Sequence, residues 1–102
     1  MIAEIRTIAG DDLWMSMNYR RPSVAIHFTL KQDVQGVARL LPKLEQKLAP
    51  FQPRPHWGKL FSIPPQVLRS RYDRLGDFRK LADRFDPGHR FRNDFIRKNL
   101  FS

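Results

Sequence analysis

The sequence predicts an α+β fold, and three observations predict it. Residues 2–8 and 23–30 alternate apolar and polar side chains with the period of a β-strand. Later segments carry apolar residues at helical spacing instead. Proline, glycine and aspartate punctuate the boundaries between them. The expected architecture is a small, mostly antiparallel sheet covered on one face by helices. At 102 residues the chain is one domain or part of one, so residues 1–102 are read as a single domain with a modest core.

In the first strand Ala3, Ile5 and Thr7 share one face, and Glu4 and Arg6 the other. Gly10 to Arg21 reads as a short helix capped by Asp11 and closed by Arg21-Pro22. The second strand is the clearer one: Val24, Ile26, Phe28 and Leu30 form an unbroken apolar face. Ser23, Ala25, His27 and Thr29 form a small, polar opposite face. Asp33 then caps a helix of about 16 residues by the start-signal rule. Val34, Val37, Leu41, Leu44 and Leu48 line one side of it, and Pro42 is expected to kink or split it.

Pro50 to Pro55 is a turn-rich connector, followed by an irregular or short extended segment, His56 to Phe61. Pro64-Pro65 opens a helical stretch with Val67 and Leu68 facing inward and Tyr72 close by. Residues 74–85 form an amphipathic helix that Asp86-Pro87-Gly88 stops. A short terminal helix starts near Asn93.

Composition narrows the function classes. With no cysteine, the chain has no disulfide, thiolate metal site or thiol nucleophile. No apolar run approaches membrane-spanning length, and the N-terminal segment carries acids where a signal peptide would carry basic residues, so the expectation is a soluble, cytoplasmic chain. The net charge of +9 raises nucleic acid as a partner. However, the ten Lys/Arg between Arg69 and Lys98 are interleaved with five Asp. That pattern suits a salt-bridged helical surface better than a stripe tracking phosphates. His27, His56 and His89 are far apart and lack ligand spacing, so no metal site is expected. The scattered glycines form neither a phosphate loop nor a dinucleotide fingerprint, and no Gly-x-Ser-x-Gly elbow is present.

Three polar groupings remain. Glu4 and Arg6 project the same way from one strand: either an exposed pair worth little, or an acceptor and a forked donor for a hydroxylated ligand. His27 and Thr29 share a face of the second strand, and with both strands in one sheet all four would form a polar floor. His56-Trp57-Gly58-Lys59 sets an imidazole, an indole and a cation between proline-rich turns. It reads either as a packed loop or as a means of placing Lys59 beside an anion or electron-rich ring.

Together, Glu4-Ile-Arg6-Thr7, His27-Phe28-Thr29, Arg54-Pro55-His56-Trp57-Gly58-Lys59 and Phe91-Arg92-Asn93-Asp94-Phe95 resemble the C-terminal portion of alditol oxidases. These belong to the vanillyl-alcohol-oxidase type of flavoproteins, with xylitol oxidase and the aldonolactone oxidases as relatives. The resemblance implies a flavoprotein substrate (cap) domain with C-terminal helices, and oxidation of a CH–OH group of a sugar alcohol or aldonolactone by FAD. It places Glu4, Arg6, Thr29 and Lys59 in the substrate pocket, with His27, His56 and Trp57 facing or positioning the flavin. Arg6 or Lys59 would be the cation beside the reduced flavin.

The family's FAD-binding domain has no counterpart in these residues. The resemblance therefore implies a truncation, one half of a split gene, or an excised piece, inactive by itself and without tightly bound FAD. Expected partners are a polyol or aldonolactone, a separate FAD-domain polypeptide, or a second copy meeting an uncovered apolar surface. The alternative is a non-catalytic binding module or degenerate gene fragment whose basic surface meets nucleic acid or protein.

Overall fold

A computed structural model describes residues 2–102, which form two compact units that divide between Ser62 and Ile63. In the first, strand β1 (Ile2–Ile8) pairs antiparallel with β2 (Ser23–Thr29) as a two-stranded ribbon. Helix α1 (Val34–Leu48) follows and ends in a 3₁₀ turn, Ala49–Phe51. The Asp33 side chain caps α1 by accepting from the Gly36 amide at 3.0 Å. A Cβ at Gly36 would overlap that carboxylate, so a larger residue here would make the Asp33 side chain shift. Pro42 sits inside α1 without splitting it. The Glu45 carboxylate accepts from the Ser62 amide at 2.6 Å and also from the Ser62 hydroxyl, tying the end of the unit back to α1.

The α+β class and the antiparallel pairing are as the sequence predicts. The helical cover is not. Ile5 is 72% exposed, Val24 61% and Ile26 42%, so the apolar face of the ribbon lies open. Alternation identifies which face is apolar, but carries no information on what covers it. The short helix expected at Gly10–Arg21 is also absent. Asp11 spends its carboxylate on the Leu13 amide (3.0 Å) and the Ser16 hydroxyl (2.5 Å), while its backbone bridges to Asn18 and Arg20. Local side-chain bonding of this kind competes with helix formation, and the result is a folded loop with Tyr19 buried at its base.

The second unit contains α2 (Pro65–Ser70), α3 (Leu75–Phe85) and α4 (Asp94–Ile96), the last running on as a π-helical turn, Arg97–Phe101. Pro65 occupies the first turn of α2, where its missing N–H is harmless. Asn93 caps α4 by accepting from the Ile96 amide at 2.9 Å. Leu68 is fully buried, and Ile63, Tyr72, Leu75, Asn99 and Leu100 complete the core. Val67, expected to face inward, is 41% exposed, because one turn of α2 buries only a single row.

The basic side chains of this unit are largely occupied. Arg69 donates to the Lys98 carbonyl (3.2 Å) and the Ser102 hydroxyl (3.0 Å), and Arg79 donates to the Leu100 carbonyl. They thereby satisfy carbonyls that the helix end leaves open. The Arg92 guanidinium pairs with Asp83 and lies 3.5 Å from the centroid of the Phe101 ring. Arg74–Asp77 (2.7 Å) and Arg97–Asp94 (3.1 Å) are further pairs. Among the described residues, no helix is long and apolar enough to cross a membrane, and no cluster of three side chains could hold a metal ion.

Asp86 closes α3 and holds the turn that follows. Its carboxylate accepts from the amides of Arg90 (2.8 Å) and Phe91 (3.0 Å). Partial desolvation raises its pKa. The Phe91 and Arg90 amides and the charges of His89 and Arg92 lower it more, so it lies below the usual aspartate value. A depressed folded-state pKa stabilises the fold above the unfolded-state value, and this stabilisation is lost as pH falls through the folded one. Asp86→Asn should therefore destabilise the protein to urea at neutral pH, and the difference should vanish below the ordinary carboxylate range. Leu68→Ala should cost about 2–5 kcal/mol in the same measurement, as expected for a cavity at a fully buried leucine.

Candidate functional site

The ribbon's register decides which side chains meet. Glu4 lies directly opposite His27, Arg6 opposite Ala25, and Ile2 opposite Thr29. Directly opposed residues point to the same face, with Cβ atoms roughly 5 Å apart. Glu4, Arg6, His27 and Thr29 therefore share one face, with Thr29 on the diagonal from Glu4 and Arg6 on the diagonal from His27. The opposite face carries Ala3, Ile5 and Thr7 against Phe28, Ile26 and Val24.

On the polar face, Arg6 Nη2 donates to Glu4 Oε2 at 2.9 Å. The side chains remain 74% and 51% exposed, so the pair is open to a ligand, and in water its own attraction is small. Covering the face would lower the local dielectric and strengthen every polar contact on it. The arrangement offers a carboxylate acceptor, a forked cationic donor, an imidazole and a hydroxyl within three successive cross-strand pairs of one face. A chain of vicinal hydroxyls, each both donor and acceptor, matches such a set.

His56, Trp57 and Lys59 lie elsewhere in the same unit, on a tight turn. The His56 carbonyl accepts from the Lys59 amide (3.0 Å), and His56 Nδ1 accepts from the Gly58 amide (3.0 Å). An accepting Nδ1 leaves the proton of the neutral ring on Nε2, which then serves as a donor. Trp57 is half-buried, and its indole N–H donates to the Met15 carbonyl at 2.9 Å. Lys59 is exposed, and among the described residues no hydrogen bond or ion pair joins it to the four side chains of the ribbon.

The structure thus brings four of the seven expected site residues onto one face and leaves three on a separate, well-tied turn. The sequence reading gives Arg54 no role beyond the motif resemblance and takes Asp11 for a helix cap. Arg54 instead donates to the Tyr19 (3.1 Å) and Met17 (3.4 Å) carbonyls, and Asp11 organises the loop between the strands. Local sequence does not signal either outcome: the acceptors of Arg54 lie 35 and 37 residues away, and an aspartate bonds nearby amides in a folded loop as it does at a helix start.

Residues 3–99 match the D-arabinono-1,4-lactone oxidase family. The chain is 46% identical over 97 residues to an alditol oxidase of Streptomyces sp. (strain IKD472 / FERM P-14339), covering 95% of this chain and 23% of that protein. It is 32% identical over 99 residues to the L-gulono-1,4-lactone dehydrogenase of Mycobacterium tuberculosis, covering 95% and 22%. An L-gulonolactone oxidase of Scyliorhinus torazame shows 25% identity over 104 residues, covering 96% and 23%. The chain spans under a quarter of the length of these curated relatives. With nearly its whole length matched, it belongs to the D-arabinono-1,4-lactone oxidase family.

Proposed function

We propose that this chain is the substrate-facing part of an FAD-dependent oxidoreductase acting on CH–OH groups of sugar alcohols or aldonolactones. The observation that carries the reading is the register that gathers Glu4, Arg6, His27 and Thr29 onto one polar face in a member of this family. Glu4 and Thr29 would accept hydrogen bonds from substrate hydroxyls, and Arg6 would donate to hydroxyl or lactone oxygens. The 46% identity to an alditol oxidase favours a sugar alcohol over a lactone as the ligand.

FAD would supply the acceptor for the hydride leaving the carbinol carbon. The residues present fit its reacting edge. Arg6 and Lys59 are exposed cations suited to the electron-rich side of a reduced isoalloxazine, and His27 and His56 are groups that can hold a proton nearby. The sequence carries no glycine-rich phosphate cradle for the FAD pyrophosphate. In this reading the 102 residues act with an FAD-binding domain supplied by the same protein or another, and are inactive without it. Both compact units serve this one substrate-side piece. The open apolar face of the ribbon, with Ile5, Val24 and Ile26, is the surface through which such a domain or a second copy would attach.

The purified 102-residue protein should show no flavin absorption and no polyol-dependent peroxide, and light scattering should find it self-associated. Turnover by the chain alone, or a clean monomer, would count against this account. Mixed with an FAD-domain polypeptide of the family, it should oxidise members of a polyol and lactone panel. Glu4→Gln, Arg6→Met and Lys59→Met should each lower kcat/KM by about 10–100-fold, because a hydrogen bond to a charged group contributes about 1.5–3 kcal/mol. Their stability to urea should change by less than about 1 kcal/mol, since the groups are exposed. Unchanged turnover in all three would sink the assignment.

A further inference from the structure

The loop between the strands does more than reverse the chain. Its carbonyls at Met15, Met17 and Tyr19 all accept hydrogen bonds from one distant segment. Trp57 Nε1 reaches Met15 at 2.9 Å, and Arg54 Nη1 reaches Tyr19 at 3.1 Å and Met17 at 3.4 Å. Two side chains three positions apart thus hold the His56–Lys59 turn against alternate carbonyls of a single stretch. Arg21 Nη1 adds a third tie, to the Gln52 carbonyl at 3.1 Å.

Both partners in this contact are internally fixed. In the loop, Asp11 holds Leu13 and Ser16 through its carboxylate, and through its backbone it pairs with Asn18 (3.1 Å) and Arg20 (2.7 Å). The Ser16 hydroxyl in turn accepts from the Asn18 amide at 3.0 Å. At the neck, Gly10 passes so close to Arg21 that a Cβ would lie 3.0 Å from the Arg21 backbone nitrogen, a tight contact that would make the backbone give by a few tenths of an ångström. Arg20 is held at a φ of 48°, a left-handed conformation uncommon outside glycine. On the other side, the two bonds to His56 leave Lys59 at the end of a closed turn. Such a loop transmits position, because neither side can shift without breaking several bonds together.

We infer that Arg54 and Trp57 are positioning residues. They fasten the Lys59 turn to the loop that closes the ribbon, and so fix Lys59 relative to the strands bearing Glu4, Arg6, His27 and Thr29. The mechanical link stands on the hydrogen bonds alone, whereas its consequence for a polyol rests on the proposed function. Trp57 acts here through its donor to Met15, and Arg54 through two carbonyls that no shorter side chain would span.

The test uses the 102-residue protein, with amide exchange followed by NMR and xylitol as the titrant. Trp57→Phe keeps the aromatic bulk and removes the donor, and Arg54→Met keeps the stem and removes the guanidinium. Each should speed exchange at the Gly58 and Lys59 amides by about 10-fold or more, as local opening becomes easier, while the β1–β2 ladder amides keep their protection. Each should also weaken xylitol binding, as Lys59→Met does, with Arg54→Lys falling in between. Unchanged exchange at Gly58 and Lys59 would overturn the inference. So would faster exchange with unaltered xylitol affinity while Lys59→Met weakens it. Loss of ladder protection in a variant would make that residue general support for the fold and overturn its positioning role. If Lys59→Met itself leaves xylitol affinity unchanged, the proposed function loses Lys59, and the exchange rates still decide whether the turn is fastened.

Discussion

The antiparallel pairing that sets Glu4 opposite His27 is the constraint on which the rest of this structure depends. Because side chains alternate along a strand, this one register gathers the charged and polar side chains on one face, with Ile2 and Ile8 at its ends, and leaves the other face mainly apolar. A slip of one residue would send Glu4 and Arg6 to the side of Phe28 and Ile26, mixing charge with hydrocarbon and dissolving both surfaces. The pairing is also the only extended hydrogen-bonded ladder among the described residues, so it has no neighbouring strand to correct an error.

A register held by two strands needs a closed end, and the loop from Gly10 to Pro22 provides it. By its sequence the stretch reads as a short helix. Instead Asp11 turns its carboxylate inward on Leu13 and Ser16, and the backbone closes over it. The carbonyls left over at Met15, Met17 and Tyr19 become acceptors for Arg54 and Trp57. The same physical demand, that partly buried carbonyls find donors, is met in the second unit by Arg69 and Arg79 at the end of the π-helical turn. Much of the basic excess is therefore structural. Arginines cap carbonyls, pair with aspartates and stack on Phe101 rather than forming a free cationic stripe.

Family membership and geometry bear on each other. The polar face alone is compatible with many hydroxylated ligands, and membership alone would not say which residues matter. An exposed Glu–Arg pair beside a histidine and a threonine, in a relative of alditol and aldonolactone oxidoreductases, has a specific chemical sense. It is a surface whose strength rises when it is covered, because desolvation sharpens hydrogen bonds that water now weakens. The reverse face has the complementary property. Ile5 and Ile26 oppose each other across the two strands with Val24 beside them, and all three lie exposed.

The sequence by itself determined the local elements and the facial sorting. Alternation in IAEIRTI and SVAIHFTL specified two strands and put Glu4 and Arg6 on one face, His27 and Thr29 on another. Asp33, Pro65, Asp86 and Asn93 marked helix boundaries through capping chemistry that is local by nature. Tertiary structure alone decided that the two polar faces are the same face, since register is a relation between strands. It also decided that Asp11 folds a loop rather than starting a helix, and that Arg54 and Trp57 reach carbonyls 35 to 42 residues away. Periodicity reports how a side chain leaves its own backbone; the acceptor it finds depends on where distant backbone has been brought.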